Sequence, residues 1–565
     1  MKCLCAAALM LLIAMLTNVD GRAQGRRRGP RDWSHRFLVA ARSGPDGETN
    51  IGRNWRTIAK HAQIDGMLAS RDQFQDWLDK FLGRERKPRP GSETPHLDWN
   101  LQTGGFGNVV GYPAKYSFDV SASNCSDVIY FTVDQPGSAS AVNVIAITNA
   151  YAGCTGNSTG ATPTVKFGIR MGTGTATSAV PSLDGKVLYV FESAATGVIL
   201  HAINVDNITS NRGTYNFGSN TWTATHTLAA PNGTATSEQL FQITFSGVTN
   251  NVSSPYLDYD SNQIFFGDSV GRIRRVINVD QKTASQDTTN FPVSCGSAQL
   301  KSPIFWNGQV VATSADGKLY RIDTTAATPY TCIGSQQGAA GTAGGVGGGL
   351  STPVVDVTND TIVVGTNNVG SLPVRAYGAI NLTFTSGQAP SSYVLYGTSS
   401  TTIAPVEPAF DNTFWTTNSG NLVVSGTNAA GSDTYLLRIP YNGAIGSVAG
   451  SAAFHHTSSN AVVATTPVTE FLTAAPSNPD YFFVGANGTN YKYMNRISAG
   501  FSGTDASPSA MAGFFAPADG VTSGIVIDTR TTSMTGSTAT ANIYFGTAGV
   551  SGTTQSTIVQ LAQAF

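Results

Sequence analysis

An eightfold repeat of short apolar strands, each followed by a glycine-closed turn, limits what this chain of 565 residues can fold into. The strands and their glycines are 128–133 with Gly137, 187–191 with Gly197, 264–266 with Gly271, 310–313 with Gly317, 361–364 with Gly370, 413–415 with Gly420, 481–484 with Gly488 and 542–545 with Gly549. Most of these strands follow a small residue and a proline, or a proline alone: Pro181, Ser254-Pro255, Ser302-Pro303, Thr352-Pro353, Ala404-Pro405 and Thr466-Pro467. Self-similarity at roughly 50 to 75 residues is typical of β units stacked around an axis. The repeat therefore predicts an all-β fold.

The two ends of the repeat region predict that the units close into a ring. The eighth repeat stops after its third strand, at 557–561, and lacks a fourth. A spare strand with a tryptophan anchor, at 96–105, precedes the first repeat. Pairing the spare strand with the last one completes the eighth unit and removes exposed strand edges. We expect an eight-bladed β-propeller over 96–565, closed by an N-terminal strand.

The number and distribution of charged residues limit the kinds of molecule that the protein can bind. Only 12% of the residues are charged, which suits many short strands joined by turns. Residues 24–91 hold 15 Lys and Arg against 8 Asp and Glu, whereas 92–565 hold 17 against 26. The repeat region is therefore mildly acidic and offers no basic stripe, which argues against nucleic acid as a partner.

The first 23 residues have the pattern of a secretory signal peptide. Lys2 gives the positive end, 4–16 is the apolar core, and Gly21-Arg22-Ala23 is a small-x-small cleavage site. The alternative is an uncleaved membrane anchor, which the arginines at 26–28 would support. The favoured interpretation predicts a protein that is secreted, periplasmic or at the cell surface, with no transmembrane helix in the mature chain.

A small helical appendage is predicted between the signal and the repeats, at 24–83. Ser70-Arg71-Asp72-Gln73 is a capping box, and apolar residues with helical spacing follow it up to Gly83. A basic, proline-rich linker then occupies 84–95. The appendage either docks on the repeat domain or holds a partner, and self-assembly through 24–91 is one form of the second alternative.

Four cysteines remain once the signal is removed. They are Cys125, Cys154, Cys295 and Cys332. An even number in an exported chain predicts two disulfides, most simply between neighbours in sequence. Four buried free thiols are the alternative.

One segment resembles a known family. Residues 302–323, Ser-Pro-Ile-Phe-Trp-Asn-Gly-Gln-Val-Val-Ala-Thr-Ser-Ala-Asp-Gly-Lys-Leu-Tyr-Arg-Ile-Asp, resemble the repeat of the PQQ-like, quinoprotein-type eight-bladed propellers. Residues 98–105 resemble the end of such a repeat. The Gly and Trp that lock neighbouring blades in that family are missing after Asp323. The resemblance implies the eight-bladed architecture and a divergent, non-catalytic member.

Motifs for cofactors and catalysis are weak. Gly267-Asp268-Ser269-Val270-Gly271 has the spacing of a serine-hydrolase elbow, but a strand follows where that chemistry needs a helix, so we predict a hairpin turn. No Cys-x-x-Cys, haem-attachment motif or adjacent cysteine pair is present. We expect no cofactor and no metal, and assign no catalytic residue.

One constellation remains as a candidate site. In propellers of the resembled type the first strand of each blade lines the central channel, which would bring Tyr256, Asp356, Glu407 and Glu470 to the channel. The three carboxylates could act as an acid/base set or a cation-binding ring. Alternatively, some of them simply face solvent at the channel mouth.

The sequence thus favours a secreted, non-catalytic propeller that binds or scaffolds a protein or a surface polymer. Two alternatives stay open: an enzyme acting on an extracellular glycan or polymer through those carboxylates, and a structural subunit of a surface assembly linked through 24–91.

Overall fold

The chain is nearly all β. The computed structural model describes residues 29–31, 38–39, 96–118, 124–151, 154, 163–172, 174–195, 197–209, 212–248, 253–335, 350–366, 375–396, 406–427, 433–446, 453–457, 462–471, 481–488, 491–498, 511–515, 523–528, 541–547, 549 and 555–563. One α-helix, Asn412–Thr417, lies among them, and none of their helices is long and apolar enough to cross a bilayer.

Several predictions fall elsewhere in the chain. The signal peptide 1–23, the linker 84–95 and the two helices expected within 24–83 lie outside the described residues. The parts of 24–83 that the structure does describe are two short strands, Gly29–Arg31 and Leu38–Val39.

Eight sheets of four to six strands, and one two-stranded hairpin, follow one another along the described chain. We number the sheets in chain order. The first contains Gly29–Arg31, Asn108–Ser117, Val128–Asp134, Val144–Thr148, Thr164–Arg170 and His226–Thr227; the second contains Thr175–Ala176, Val180–Pro181, Val187–Ala194, Gly197–Asn204 and Gln239–Phe245. The third contains Tyr256–Asp258, Gln263–Gly267, Arg272–Ile277, Ser285–Gln286 and Val293–Ser294; the fourth contains Ile304–Trp306, Gln309–Thr313, Leu319–Asp323 and Cys332–Gly334.

The remaining sheets repeat this plan. The fifth contains Leu38–Val39, Val354–Asp356, Thr361–Thr366, Arg375–Asn381 and Ser391–Tyr396; the sixth contains Ala409–Phe410, Gly420–Thr427, Asp433–Tyr441 and Ala453–Thr457. The seventh contains Val462–Thr465, Thr469–Phe471, Tyr481–Gly488, Tyr491–Ser498 and Met511–Phe515; the eighth contains Val526–Asp528, Ala541–Gly546, Thr557–Gln563 and His96–Gln102. The hairpin is Thr214–Asn216 with Thr221–Ala224. Nearly all neighbouring strands are antiparallel and paired in chain order, as short strand–turn–strand repeats dictate.

We call the strand that opens each repeat its first strand. These are Asn108–Ser117, Val180–Pro181, Tyr256–Asp258, Ile304–Trp306, Val354–Asp356, Ala409–Phe410, Thr469–Phe471 and Val526–Asp528. An aspartate begins three of the described connections after them: the carboxylate of Asp258 accepts from the Asp260 N–H at 3.2 Å, and that of Asp356 accepts from the Thr358 N–H at 3.0 Å. Asp411 does the same for Phe414 at 3.0 Å. A short acceptor side chain reaches its own backbone two or three residues on, which fixes the turn.

The strand predicted at 413–415 is wrong. That segment is the helix Asn412–Thr417, and the strand begins later, at Gly420. Asp411 caps the helix, and Asn418 ends it with a left-handed backbone at φ 63°. Phe414 is fully buried and packs on Phe410 with ring centroids 4.5 Å apart, so tertiary packing replaces the apolar strand pattern by one helical turn.

The spare N-terminal strand pairs with the last strand of the chain. His96–Gln102 runs antiparallel to Thr557–Gln563, with His96 opposite Ala562 and Gln102 opposite Thr557. The Thr214–Ala224 hairpin fastens this strand from outside the sheet, a contact that sequence analysis did not anticipate. The Trp222 Nε1–H donates to the Gln102 carbonyl at 3.0 Å, and the Tyr215 hydroxyl accepts from the Gln102 N–H at 2.8 Å.

The core lies between consecutive sheets. Phe191 of the second sheet packs on Phe266 of the third with centroids 4.5 Å apart, and Phe265 of the third stacks on Phe305 of the fourth at 5.2 Å. Close-packed aromatic faces of this kind keep neighbouring sheets in contact because separating them would return large apolar surfaces to water.

The two predicted disulfides are confirmed. Cys125 bonds to Cys154 in the first sheet, and Cys295 bonds to Cys332 between the third and fourth sheets. The alternative of four free thiols is therefore wrong. Each bridge closes a short loop, which restricts the unfolded chain and stabilises the fold.

A serine or threonine just before the first strand fastens four of the sheets internally. The hydroxyls of Ser253, Ser351, Thr466 and Ser523 accept from the N–H of a glycine in the following strand, namely Gly267, Gly365, Gly485 and Gly546, at 2.7–3.0 Å. A hydroxyl also donates to the carbonyl of the next residue, as Ser523 does to Gly524 at 2.8 Å. We call this arrangement the hydroxyl latch.

We predict that the junction between the eighth and first sheets tolerates no side chain at Gly524. A Cβ built there would lie 1.9 Å from Cδ1 of Tyr112, whose ring is buried. Gly524→Ala should therefore lower the free energy of unfolding by about 2–3 kcal/mol, measured by urea titration. Gly218→Ala is the control, since its Cβ would meet only the flexible Asn216 side chain at 3.2 Å. Equal stability losses in the two variants would contradict this packing.

Candidate functional site

The first strands of successive sheets are joined by backbone-to-side-chain hydrogen bonds, which lie just before the strand in the later sheets and at Tyr112, within Asn108–Ser117, in the first sheet. The N–H of Tyr112 donates to Ser178 Oγ at 3.2 Å, that of Ser178 to Ser254 Oγ at 3.1 Å, and that of Ser254 to Ser302 Oγ at 2.8 Å. Farther along the chain, the Gly524 N–H donates to the Gly111 carbonyl at 2.6 Å, which joins the eighth sheet to the first. All first strands with these bonds therefore start at the same end of the molecule. We call the series the start-to-start bonds.

Glu407 occupies the serine position of this series in the sixth sheet. Its Oε1 accepts from the Thr352 N–H at 3.0 Å, as Ser302 Oγ does from Ser254. Because glutamate is longer than serine, its second oxygen also reaches a residue of another sheet: the Tyr112 hydroxyl donates to Glu407 Oε2 at 3.5 Å. One carboxylate thus connects the first, fifth and sixth sheets.

Lys301 stands in the hydroxyl-latch position of the fourth sheet, directly before Ser302. Thr313 fills the place that glycine has in the latched sheets, and its hydroxyl donates to the Ser351 carbonyl of the next sheet at 2.8 Å. Burial lowers the pKa of the half-buried Lys301 ammonium, while the negative charge of Glu407 acts in the opposite direction. We call Tyr112, Lys301, Thr352 and Glu407 the axial cluster.

The four predicted site residues have different roles in the structure. The buried Tyr256 hydroxyl donates to the Phe305 carbonyl of the next sheet at 2.8 Å. Glu407 belongs to the axial cluster, as described above. Glu470 is half-buried on Thr469–Phe471, opposite Phe482. A joint role for the four in the channel remains a prediction.

Asp356 is fully buried and accepts several hydrogen bonds. The Thr358 and Asn359 N–H groups bind one oxygen at 3.0 and 3.2 Å, and the Asn359 side chain and the Tyr441 hydroxyl bind the other at 2.6 and 2.9 Å. Burial raises the pKa of this carboxyl, and these hydrogen bonds oppose the rise. The residue holds a turn and joins the fifth sheet to the sixth.

Tyr112, Lys301 and Thr352 were missed from the sequence. Sequence analysis placed the sixth start at Ala404-Pro405, which lies outside the described residues, whereas Glu407-Pro408 directly precedes Ala409–Phe410. Aligning Glu407-Pro408 with Ser254-Pro255 and Ser302-Pro303 would have marked Glu407 as a charged exception in a series of hydroxyls. Lys301, which directly precedes Ser302, would then have been recognised as a charged exception in the series of latch hydroxyls.

Two further ionic clusters are buried within sheets. The ring of His201 lies between Glu192 Oε2 at 3.0 Å and Gln239 Oε1 at 2.9 Å, and the Gln239 amide donates to the Ala229 carbonyl. Burial raises the pKa of Glu192, but hydrogen bonds from His201 and the Gly174 N–H outweigh it and bring that pKa below its ordinary value. Both imidazole nitrogens of His201 therefore have a side-chain partner within the second sheet.

The second cluster lies in the first sheet. Lys115 Nζ is 3.1 Å from Asp127 Oδ2, both side chains are 1% exposed, and the Tyr151 hydroxyl donates to the same oxygen at 3.0 Å. Complete burial closes this pair to ligands. In the described part of the chain, no group of three or more His, Cys, Asp or Glu side chains could hold a metal ion.

Consecutive antiparallel sheets that meet side by side at their first strands define a β-propeller. Among solved structures, Sqt1 of Saccharomyces cerevisiae is similar at 9% identity over 84% of this chain and 99% of its own, with a TM-score of 0.40. The periplasmic gluconolactonase PpgL of Pseudomonas aeruginosa is similar at 13% identity over 62% and 95%, with a TM-score of 0.37, and BamB of Moraxella catarrhalis at 13% over 70% and 97%, with 0.32. No protein-family model and no curated protein sequence matches the chain.

We predict that Lys301 makes stability depend on alkaline pH. Its folded pKa lies below the ordinary 10.5, so the unfolded chain binds more protons between the two values. Stability therefore rises with pH across that window, and Lys301→Met should flatten the rise in urea titrations at stepped pH. Glu407→Gln removes the negative charge that raises the Lys301 pKa. In this variant the rise of stability with pH should therefore begin at a lower pH.

Lys186→Met is the matched control for this prediction. Lys186 is exposed, with 70% of its side chain accessible, so its replacement should leave the slope unchanged. Identical slopes for the wild type and Lys301→Met would exclude a lowered pKa of the Lys301 ammonium in the folded protein.

Proposed function

We propose that the mature chain is an eight-bladed β-propeller, closed by strand 96–102, that serves outside the cytoplasm as a non-catalytic binding scaffold. Eight successive sheets support the blade number, and the pairing of His96–Gln102 with Thr557–Gln563 supports the closure. The match of 302–323 to the quinoprotein-type repeat supports a divergent member of the PQQ-like superfamily. The proposed boundaries are 1–23 for the signal peptide, 24–83 for the N-terminal segment, 84–95 for the linker and 96–565 for the propeller.

Export is supported by two independent features. The first 23 residues have the three parts of a signal peptide. The two disulfides join cysteines 29 and 37 residues apart, and such bridges persist in oxidising compartments. Together they favour a secreted, periplasmic or surface-bound protein.

The non-catalytic proposal rests on one observation: the carboxylates of Asp356 and Glu407 are hydrogen-bonded to groups of the protein itself. Both oxygens of Asp356 accept hydrogen bonds that hold a turn and the neighbouring sheet. Both oxygens of Glu407 accept hydrogen bonds from other sheets. A general acid or base needs an oxygen directed at its substrate, and these oxygens are directed at the protein itself. Binding through the loops at either end of the propeller fits this arrangement better than catalysis in the channel.

The partner class that fits is a protein or a surface polymer. The propeller region is mildly acidic, with 17 basic against 26 acidic residues over 92–565, so polyanions such as nucleic acid are disfavoured. Residues 24–91 are basic and could attach the propeller to an acidic partner or to another copy of the chain.

We predict that cysteines placed across the proposed closure will cross-link. Gln102 and Thr557 are Cα partners on the two terminal strands, within the range that a disulfide spans. Gln102→Cys with Thr557→Cys should oxidise completely in the mature chain and give a linked tryptic peptide in mass spectrometry. Gln102→Cys with Thr383→Cys, an exposed position in the turn after Arg375–Asn381, should stay reduced. Free thiols in both double variants would overturn the closure.

We predict saturable binding of the fluorescently labelled mature protein to native cell envelope, without consumption of envelope material. Protease treatment of the envelope should abolish the signal if the partner is a protein, and glycan oxidation should abolish it if the partner is a polymer. Product release that scales with time and protein concentration would instead favour the enzyme alternative.

Reduced, unfolded protein is the control for this binding experiment. Its retention should be non-saturable, because the loops that form the binding surface depend on the fold. Absence of saturable binding by the oxidised protein, with its secretion verified by N-terminal sequencing, would contradict the scaffold function and leave the fold assignment intact.

A further inference from the structure

Two of the first strands carry an additional strand from the N-terminal segment. Gly29–Arg31 lies antiparallel on Asn108–Ser117, with Gly29 opposite Ser117 and Arg31 opposite Lys115. Leu38–Val39 lies parallel to Val354–Asp356, with Leu38 opposite Val355. A single segment of eleven residues, 29–39, therefore reaches both the first and the fifth sheets.

In the proposed ring, the edge that these strands cover faces the common axis. In the third, fourth, sixth and eighth sheets the first strand is the last member of its sheet on that side. First strands of neighbouring sheets also contact each other, as Tyr256–Asp258 contacts Ile304–Trp306 and Val526–Asp528 contacts Asn108–Ser117. In a ring of eight sheets, the first and the fifth face each other across the axis.

The strand directions show how the two short strands lie. The start-to-start bonds place the beginnings of the first strands at one end of the axis. Gly29–Arg31 runs against its first strand and Leu38–Val39 runs with its own, so the two short strands point in opposite directions. Gly29 and Val39 both pair near the finishing ends of the first strands, away from the axial cluster.

Length and charge agree with this placement. The seven residue steps from Arg31 to Leu38 can extend over roughly 25 Å, enough to pass from one side of an axis to the other. Residues 24–42 hold six arginines and one aspartate, whereas 92–565 is net acidic. Pairing through backbone groups supplies affinity at a free strand edge, and opposite charge keeps the segment near it.

We infer that the strands Gly29–Arg31 and Leu38–Val39 form a built-in plug, which occupies the axial edges of the first and fifth sheets by strand addition, and that these edges are a binding site for an extended basic peptide. The first occupant is the segment of the same chain. The inference rests on the proposed ring, and it assigns the N-terminal segment a place inside the propeller instead of on a partner.

The first test is a cross-link in the full mature chain. Gly29→Cys with Ser117→Cys, which are Cα partners, should form a disulfide that mass spectrometry maps. Gly29→Cys with Ser219→Cys, an exposed position on the hairpin, should not. If the first pair stays reduced while the Gln102–Thr557 cysteine pair forms, the plug is overturned and the ring stands. If both pairs stay reduced, the ring itself fails.

The second test measures whether the N-terminal segment binds the propeller after it has been cut from the chain. Residues 44–47 are replaced by a protease site, the full chain is folded, and the site is then cut. The released segment should co-elute with the propeller at low ionic strength and separate at roughly 1 M salt, where charges are screened. Arg31→Gln with Arg36→Gln should speed release about tenfold at low ionic strength. A labelled synthetic peptide of residues 24–42 should rebind to the stripped protein. Immediate separation at low ionic strength, or no rebinding, would overturn the peptide site.

Discussion

The backbone N–H beside the start of a first strand is the group through which several neighbouring sheets are joined. A buried N–H without an acceptor costs about 1–3 kcal/mol. This chain supplies the acceptor from the next sheet, through Ser178, Ser254 and Ser302. Each bond therefore satisfies one backbone group and also sets the position of the neighbouring sheet. The hydroxyl latch, formed by the residue directly before, accepts from a backbone N–H within the same sheet in the same way.

The axial cluster arises where this scheme is interrupted. Glutamate in place of serine keeps the start-to-start bond to Thr352 and adds a second acceptor, which the Tyr112 hydroxyl uses. Lys301, which replaces the latch hydroxyl, lies where the negative charge of Glu407 raises the pKa of its ammonium group. The two exceptions carry opposite charges, and the negative charge of Glu407 partly offsets the effect of burial on the Lys301 ammonium. The same bonding leaves these groups poorly disposed for proton transfer, and the proposed function lies in the surfaces around them.

Two short N-terminal strands extend the first and the fifth sheets. Among the described residues, the first strand is the edge strand of the third, fourth, sixth and eighth sheets, and such edges attract further strands. In the first and fifth sheets, the first strands are covered by Gly29–Arg31 and Leu38–Val39. Both short strands pair near the finishing ends of their first strands, whereas the axial cluster lies where the first strands begin.

The sequence alone determined the all-β class, the turns and the disulfide pairs, because these depend on local pattern: alternating apolar residues, aspartate and glycine at strand ends, and cysteines near each other in the chain. It also predicted that 96–102 pairs with the C-terminal strand. It missed the helix at Asn412–Thr417, since burial of Phe414 and the cap by Asp411 are tertiary. Only the tertiary structure decided that Asp356 and Tyr256 bind neighbouring sheets and that Tyr112, Thr352 and Glu407 meet. Those contacts join residues that are far apart in the chain. The spacing of residues in a sequence does not show which sheets become neighbours or which of their side chains meet.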